Sequence, residues 1–373
     1  MGDEMGHELR LRGVAHALRF RLGVLLANGL LLAALAGPAF SQDLPRIAII
    51  TTGGTIAQAT DPATGQAVPT LGAEALLQSV PGLDRIARPE VTEIANIDSR
   101  DMSPDLWLKI AAAVAKSAAD PGIAGIVVVH GTDTMEDTGY FLELTRDTEK
   151  PIVLTGSMRD ASDPWPDGPL NLRNAARQAA DPASTGRGVT LTLNGRIVAA
   201  SAAKKRDAGN VDTFDGGVWG WLGTVEGDAV HWRGRPDRRL SFPLPAELPE
   251  VALVLDYPGS TGVAVDAAAA DPAVAGLVVV GYGIGNVSHP TYEAIARARG
   301  KGLPVLVTSR VEHGRLQSAY GGEGGGASLL ALGAILSPIN DPWKARTALM
   351  LALADTGSRD PAVLAARLDA DTP

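Results

Sequence analysis

The chain has 373 residues, 45% hydrophobic, 20% charged and 4% aromatic, with a formal net charge of −9 and no cysteine. That length suits about two globular domains with aliphatic cores. The acidic balance argues against a nucleic-acid partner, and the lack of cysteine excludes disulfides and every thiol-dependent mechanism, cysteine-type amidases included.

In chain order, Arg10, Arg12, Arg19 and Arg21 precede the apolar run from Leu22 to Ala36, which has the layout of a secretory signal. Ala39 and Ser41 then stand where a cleavage site needs small residues, so residues 1–41 are expected to be removed. The expectation is a periplasmic or secreted protein without membrane contact after signal removal. A retained anchor is the alternative, although spans need about 20 apolar residues.

β-Branched runs bounded by Gly, Pro or Asp follow at Ile47 to Thr51, Ile126 to His130, Ile152 to Thr155, Val189 to Leu193, Val251 to Leu255, Leu277 to Val280 and Val305 to Thr308. They read as buried parallel strands. Between them lie Ala-rich amphipathic stretches, the clearest being a helix with Ser103 as N-cap, Pro104 at its first position and an end near Ala118. Alternating strands and helices predict an α/β fold, with a larger N-terminal doubly wound domain and a smaller C-terminal α/β domain. Arg233, Arg235, Arg238 and Arg239 mingle with Pro236, Pro243, Pro245 and Pro249 where hydrophobic periodicity fades. The expected division is therefore a catalytic domain at 42–228, a linker at 229–249 and a second domain at 250–373, the alternative being a long loop within one domain. Gly321 to Gly326 form a flexible loop around Glu323.

Two strand ends carry the chemistry. The first empties into Thr51-Thr52-Gly53-Gly54-Thr55-Ile56-Ala57, where glycines let the backbone turn and approach a ligand, although an ordinary tight turn reads the same way. Ile126 to Val129 empties into His130-Gly131-Thr132-Asp133-Thr134-Met135-Glu136, placing a second hydroxyl-rich end beside it. Asp133 could orient an ammonium or support a base, but an Asp after a strand also suits a helix N-cap.

These two segments resemble the paired signatures of bacterial L-asparaginases of the periplasmic type and of the glutaminase-asparaginases. The resemblance continues through Asn96-Ile97-Asp98-Ser99-Arg100-Asp101-Met102, Gly156-Ser157-Met158-Arg159, Asp167-Gly168-Pro169, Gly285-Asn286 and Ser309-Arg310-Val311, so it spans nearly the whole chain after the first forty residues. It implies an amidohydrolase without a cofactor or metal, with L-asparagine, and in the broader members L-glutamine, as the substrate. Thr55 is then the nucleophile that forms an acyl-enzyme. A threonine hydroxyl needs a base or a proton-removing network, and the resemblance assigns that network to Thr132, Asp133 and Lys205. It also places Gly54 at the substrate, Ser99 on the α-carboxylate, Asp133 on the α-ammonium, and Asn286 and Glu323 in the site of a partner subunit within a homotetramer. The backbone N–H of Thr132 and a neighbouring peptide would serve the oxyanion.

Two departures stand out. The family's loop tyrosine has no counterpart between Gln58 and Thr70, where Gln66 falls near its place and Tyr320 is a candidate substitute. Arg100 stands where the family commonly has Gln, and a fixed cation grips a carboxylate but repels an ammonium.

Competing readings are weaker. Gly281-Tyr282-Gly283-Ile284-Gly285 lacks dinucleotide-motif spacing. The six His show no zinc spacing and no serine-hydrolase elbow occurs. An exported amino-acid-binding protein is the non-catalytic rival.

Overall fold

A computed structural model describes residues 44–61, 63–69, 72–236 and 240–369, so the signal segment expected at 1–41 lies outside the described residues. The first strand, β1 (Arg46–Gly53), is followed by a hairpin of β2 (Gln58–Thr60) and β3 (Ala67–Pro69). Next come β4 (Arg88–Ile97), β5 (Ile123–Val129), β6 (Ile152–Thr155), β7 (Val189–Leu193) and β8 (Arg196–Ala199). A two-residue pair, β9 (Lys204–Lys205) with β10 (Phe214–Asp215), precedes β11 (Gly223–Glu226) and β12 (Ala229–Trp232). The remaining strands are β13 (Glu250–Leu255), β14 (Val274–Gly281), β15 (Val305–Ser309) and β16 (Ile335–Leu336).

Eight of these strands form one sheet in the order β12-β11-β8-β7-β6-β5-β1-β4, parallel from β4 to β7 and antiparallel beyond it. Successive side chains of a strand point to opposite faces, and β1 serves two cores on that basis. Ile50 joins Trp107, Ile110 and Phe141 on one face, whereas Ile47 and Ile49 join Leu172 and Ala176 on the other. Helices Pro104–Ala119 and Gly168–Ala180 cover these faces, which is the doubly wound arrangement. The smaller domain repeats the plan with a four-stranded parallel sheet, β13-β14-β15-β16. Its long helix Pro342–Thr356 shares a hydrophobic core with Phe141 and Leu144 of helix Met135–Thr145.

The apolar runs read as strands are all strands, and the helix expected from Ser103 spans Pro104–Ala119 with Ser103 Oγ accepting the Leu106 N–H at 3.3 Å. Residues 229–232, expected to begin a linker, instead form the sheet-edge strand β12. Their alternating exposure gives no continuous apolar run to read. Long edge strand β4 escaped the sequence for the same reason, since buried parallel strands are near-continuously hydrophobic and half-exposed edges are not.

Candidate functional site

β1 has β4 on one side and β5 on the other, so the connections leaving its neighbourhood diverge and open a crevice at the strands' carboxyl ends. Three glycines let these ends converge. Gly53 and Gly54 have φ of +95° and +87°, values that favour glycine. A Cβ on Gly54 would stand 2.4 Å from Gly131 Cα, and one on Gly131 would stand 2.6 Å from Ser99 Oγ. The turns after β1 and β5 therefore touch backbone to backbone, the Ser99 side chain packs against Gly131, and Gly54 N–H donates to Ile97 O at 2.9 Å.

Thr55, half-buried, opens the short 3-10 turn Thr55–Ala57 at the mouth of this crevice. The next residue, Ile56, anchors the turn against Gly168, where a Cβ would stand 2.6 Å from Ile56 Cγ1. Thr132 is buried and its Oγ1 receives a hydrogen bond from Lys205 Nζ at 2.9 Å. The same ammonium donates to Asp133 Oδ1 at 2.7 Å. Asp133 N–H donates to the buried Ser99 Oγ at 3.3 Å, and Thr134 Oγ1 donates to Ser99 O at 2.8 Å. Ser99, the adjacent Thr132 and Asp133, and Lys205, from three separated segments, thus form one contiguous polar cluster beside the Gly54–Thr55 turn.

The other expected residues lie apart from this cluster. Arg100 is exposed, with its guanidinium 3.6 Å from Asp98. Asn286 follows β14 and keeps a buried Oδ1 without a hydrogen-bond partner among the described residues. Glu323 is exposed and pairs with His289 Nδ1 at 2.8 Å. Val287 N–H donates to Gly324 O at 2.9 Å, so Asn286 and Glu323 belong to neighbouring loops of the smaller domain. Gln66 is exposed in the β2–β3 turn, and that hairpin is tied down by Thr60 N–H donating to Ser162 Oγ at 2.9 Å. Tyr320 is also exposed.

Sequence reasoning assigned no role to the groups beneath the cluster. His130 is fully buried; its Nδ1 lies 2.7 Å from Gly131 O and its Nε2 lies 2.9 Å from Thr138 Oγ1. A carbonyl only accepts, so Nδ1 carries the proton and Nε2 accepts from Thr138, which in turn receives Trp107 Nε1–H at 2.9 Å. Burial pushes the His130 pKa down to about 4, partly opposed by the hydrogen bond to Gly131, and the ring is neutral at pH 7. Asp167 accepts the N–H groups of Met158 and Arg159 and the Asn171 amide, which shapes the end of β6. Both residues sit inside motifs quoted above, and that proximity was the available signal. A cavity of about 920 Å³ lies elsewhere, among Tyr140, Trp221, Leu240, Ile339 and Lys344, and none of the cluster residues lines it.

A doubly wound sheet with threonines, an acid and a lysine gathered at its switch point defines an α/β protein with a polar small-molecule site at its strands' carboxyl ends. Residues 46–238 match the family Asparaginase, N-terminal, and residues 250–363 match the Glutaminase/Asparaginase C-terminal domain. The chain belongs to the asparaginase family. It is 34% identical to a probable periplasmic L-asparaginase of Haemophilus influenzae, covering 95% of this chain and 98% of that protein. L-asparaginase 2 of Escherichia coli is also 34% identical, over 85% of this chain and 91% of its own length. A crystal structure of a probable cytoplasmic L-asparaginase from Campylobacter jejuni superposes with a TM-score of 0.77 at 34% identity, covering 87% of this chain and 99% of that one. Family and fold together support an asparaginase-type amidohydrolase acting on a small amide. The expected periplasmic or secreted location is overturned by the Campylobacter jejuni protein: a relative with the same fold is described as cytoplasmic, so family membership does not carry export.

Proposed function

We propose that this chain hydrolyses the side-chain amide of L-asparagine to L-aspartate and ammonia, through a Thr55 nucleophile and an acyl-enzyme. The observation that carries the reading is Lys205 Nζ, held at 2.9 Å from Thr132 Oγ1 and 2.7 Å from Asp133 beside the Thr55 turn. Thr55 Oγ attacks the amide carbon as its proton passes to Thr132 Oγ1 and is relayed through Lys205 Nζ to the Asp133 carboxylate, which is the final acceptor. The carbon–nitrogen bond then breaks, ammonia leaves with a proton from that network, and water hydrolyses the resulting ester. Backbone N–H groups at Thr132 and the adjoining peptide face the developing oxyanion. Gly54 leaves room for the substrate backbone, Ser99 takes its carboxylate with Arg100 nearby, and Asp133 takes its ammonium.

Residues 42–228 form the catalytic domain in this reading and residues from 250 onward the smaller one. In this reading Asn286 and the exposed Glu323, on neighbouring loops of the smaller domain, complete the site of a neighbouring subunit in a homotetramer. L-Glutamine is the alternative substrate, because one methylene is worth only about 1–3 kcal/mol of discrimination. Ammonia release from L-asparagine, L-glutamine and D-asparagine tests the reading, with Thr55→Ala and Thr132→Ala alongside. Turnover of L-asparagine that both variants lose is the expected result; amino-acid binding without ammonia release by the unmutated chain would make it a binding protein instead.

A further inference from the structure

Three consecutive cations, Lys204, Lys205 and Arg206, run through and just past β9, and strand alternation turns the middle one away from its neighbours. Lys205 reaches Thr132 and Asp133. Lys204 goes the other way, with Nζ 3.0 Å from Glu136 Oε1 and 3.0 Å from Asp341 Oδ2. Arg206 makes a two-pronged pair with Glu312. The flanking cations tie the strand to the smaller domain.

Glu136 closes the circuit, because its second oxygen accepts the main-chain N–H of Lys205 itself. Asp341 is equally constrained. It caps helix Pro342–Thr356, accepting the N–H groups of Trp343 at 3.0 Å and Lys344 at 3.1 Å. Lys204 also lies over the Trp343 ring, 4.3 Å from its centre. The Lys204, Glu136 and Asp341 side chains are only 22%, 11% and 21% exposed, so their attraction is little screened and deleting one partner leaves an uncompensated charge. Burial opposes the charge on Lys204, yet Asp341 and Glu136 hold its pKa above the ordinary lysine value.

A lysine stem has many rotamers, and its ammonium can be kept on two acceptors only if its backbone is fixed. We infer that Lys204, through Glu136 and Asp341, is a positioning residue for Lys205, clamping β9 between the two domains so that Lys205 Nζ stays on Thr132 and Asp133. The inference rests on the amide-hydrolysis reading above and adds the smaller domain's helix cap as part of what aims the Lys205 ammonium.

The test measures ammonia release from L-asparagine against substrate concentration for the full chain and for Lys204→Met, Lys204→Arg, Asp341→Asn and Lys205→Met, with thermal unfolding of each. Loss of aim reduces kcat about tenfold or more in Lys204→Met and Asp341→Asn, with KM changing less than about twofold. Lys204→Arg regains most of the lost rate, because the guanidinium still spans both carboxylates. Asn is as good an N-cap as Asp, so Asp341→Asn removes the charge pair while keeping the helix start, and it decides the matter if Lys204→Met unfolds. Unchanged kcat in Asp341→Asn and in folded Lys204→Met, with Lys205→Met inactive, would overturn the inference and leave the amide reading intact. Absence of ammonia from the unmutated chain would overturn both.

Discussion

Acidification should destabilise this protein through His130 before ordinary carboxylates titrate. The ring is fully buried and its pKa falls from 6.5 to about 4, whereas in the unfolded chain it returns to 6.5. Between these values the unfolded state binds a proton on His130 that the folded state does not, so the His130 contribution rises with pH across the window, while buried Asp137, raised to about 7, contributes with the opposite sign in any variant that keeps it. The contribution is complete above 6.5 and is lost as pH falls toward 4, and the total loss is about 3 kcal/mol. Urea midpoints measured between about pH 4 and 6.5 on the unmutated chain and on His130→Gln isolate it. The slope of stability against pH should be more positive in the unmutated chain than in the variant, by about 1.4 kcal/mol per pH unit. At pH 7 the variant should be less stable by about 1–3 kcal/mol, because a flexible amide must replace a rigid ring that bonds Gly131 O and Thr138 Oγ1 at once, and losing either bond leaves a buried polar group unpaired. Parallel pH dependences for the two proteins would refute the argument, since they would mean that the folded imidazole accepts a proton as readily as the unfolded one.

Two further substitutions probe the crevice. Gly54→Ala places a methyl group 2.4 Å from Gly131 Cα at a φ of +87°, and the combined backbone strain and overpacking should cost about 2–5 kcal/mol. Chemical denaturation reads that loss directly, and a change below about 1 kcal/mol would mean that the two turns can separate freely. Arg100→Gln removes an exposed cation whose pair with Asp98, at 3.6 Å, contributes little to stability, so unfolding should be unaffected. If Arg100 grips the substrate carboxylate beside Ser99, KM should rise several-fold at nearly constant kcat; an unchanged KM would remove Arg100 from the site.

Much of the central sheet was legible because buried parallel strands are continuous β-branched runs. Ile152–Thr155 and Val189–Leu193 coincide with the runs read from the sequence. β4 and β12 were not legible, since they alternate exposed with partly buried positions at the edges and offer no apolar block. The paired threonine motifs announced the crevice, but nothing local to Lys205 distinguished it from Lys204 and Arg206. Partners supplied from distant segments, Thr132 and Asp133 for one and Glu136 with Asp341 for another, separate their roles.

The sequence alone determined where the apolar strands lie, although Val251–Leu255, read as buried, is a half-exposed edge strand. It determined too where the chain turns on glycine and which family's motifs it carries, because these depend on local composition and spacing. Tertiary structure decided the rest. It set β1 between β4 and β5, so that Gly54 meets Gly131 and Gly131 meets Ser99. It also folded a helix cap of the second domain onto the strand bearing Lys205. Such contacts join residues far apart along the chain, and their strength comes from burial and geometry that exist only once both domains are packed.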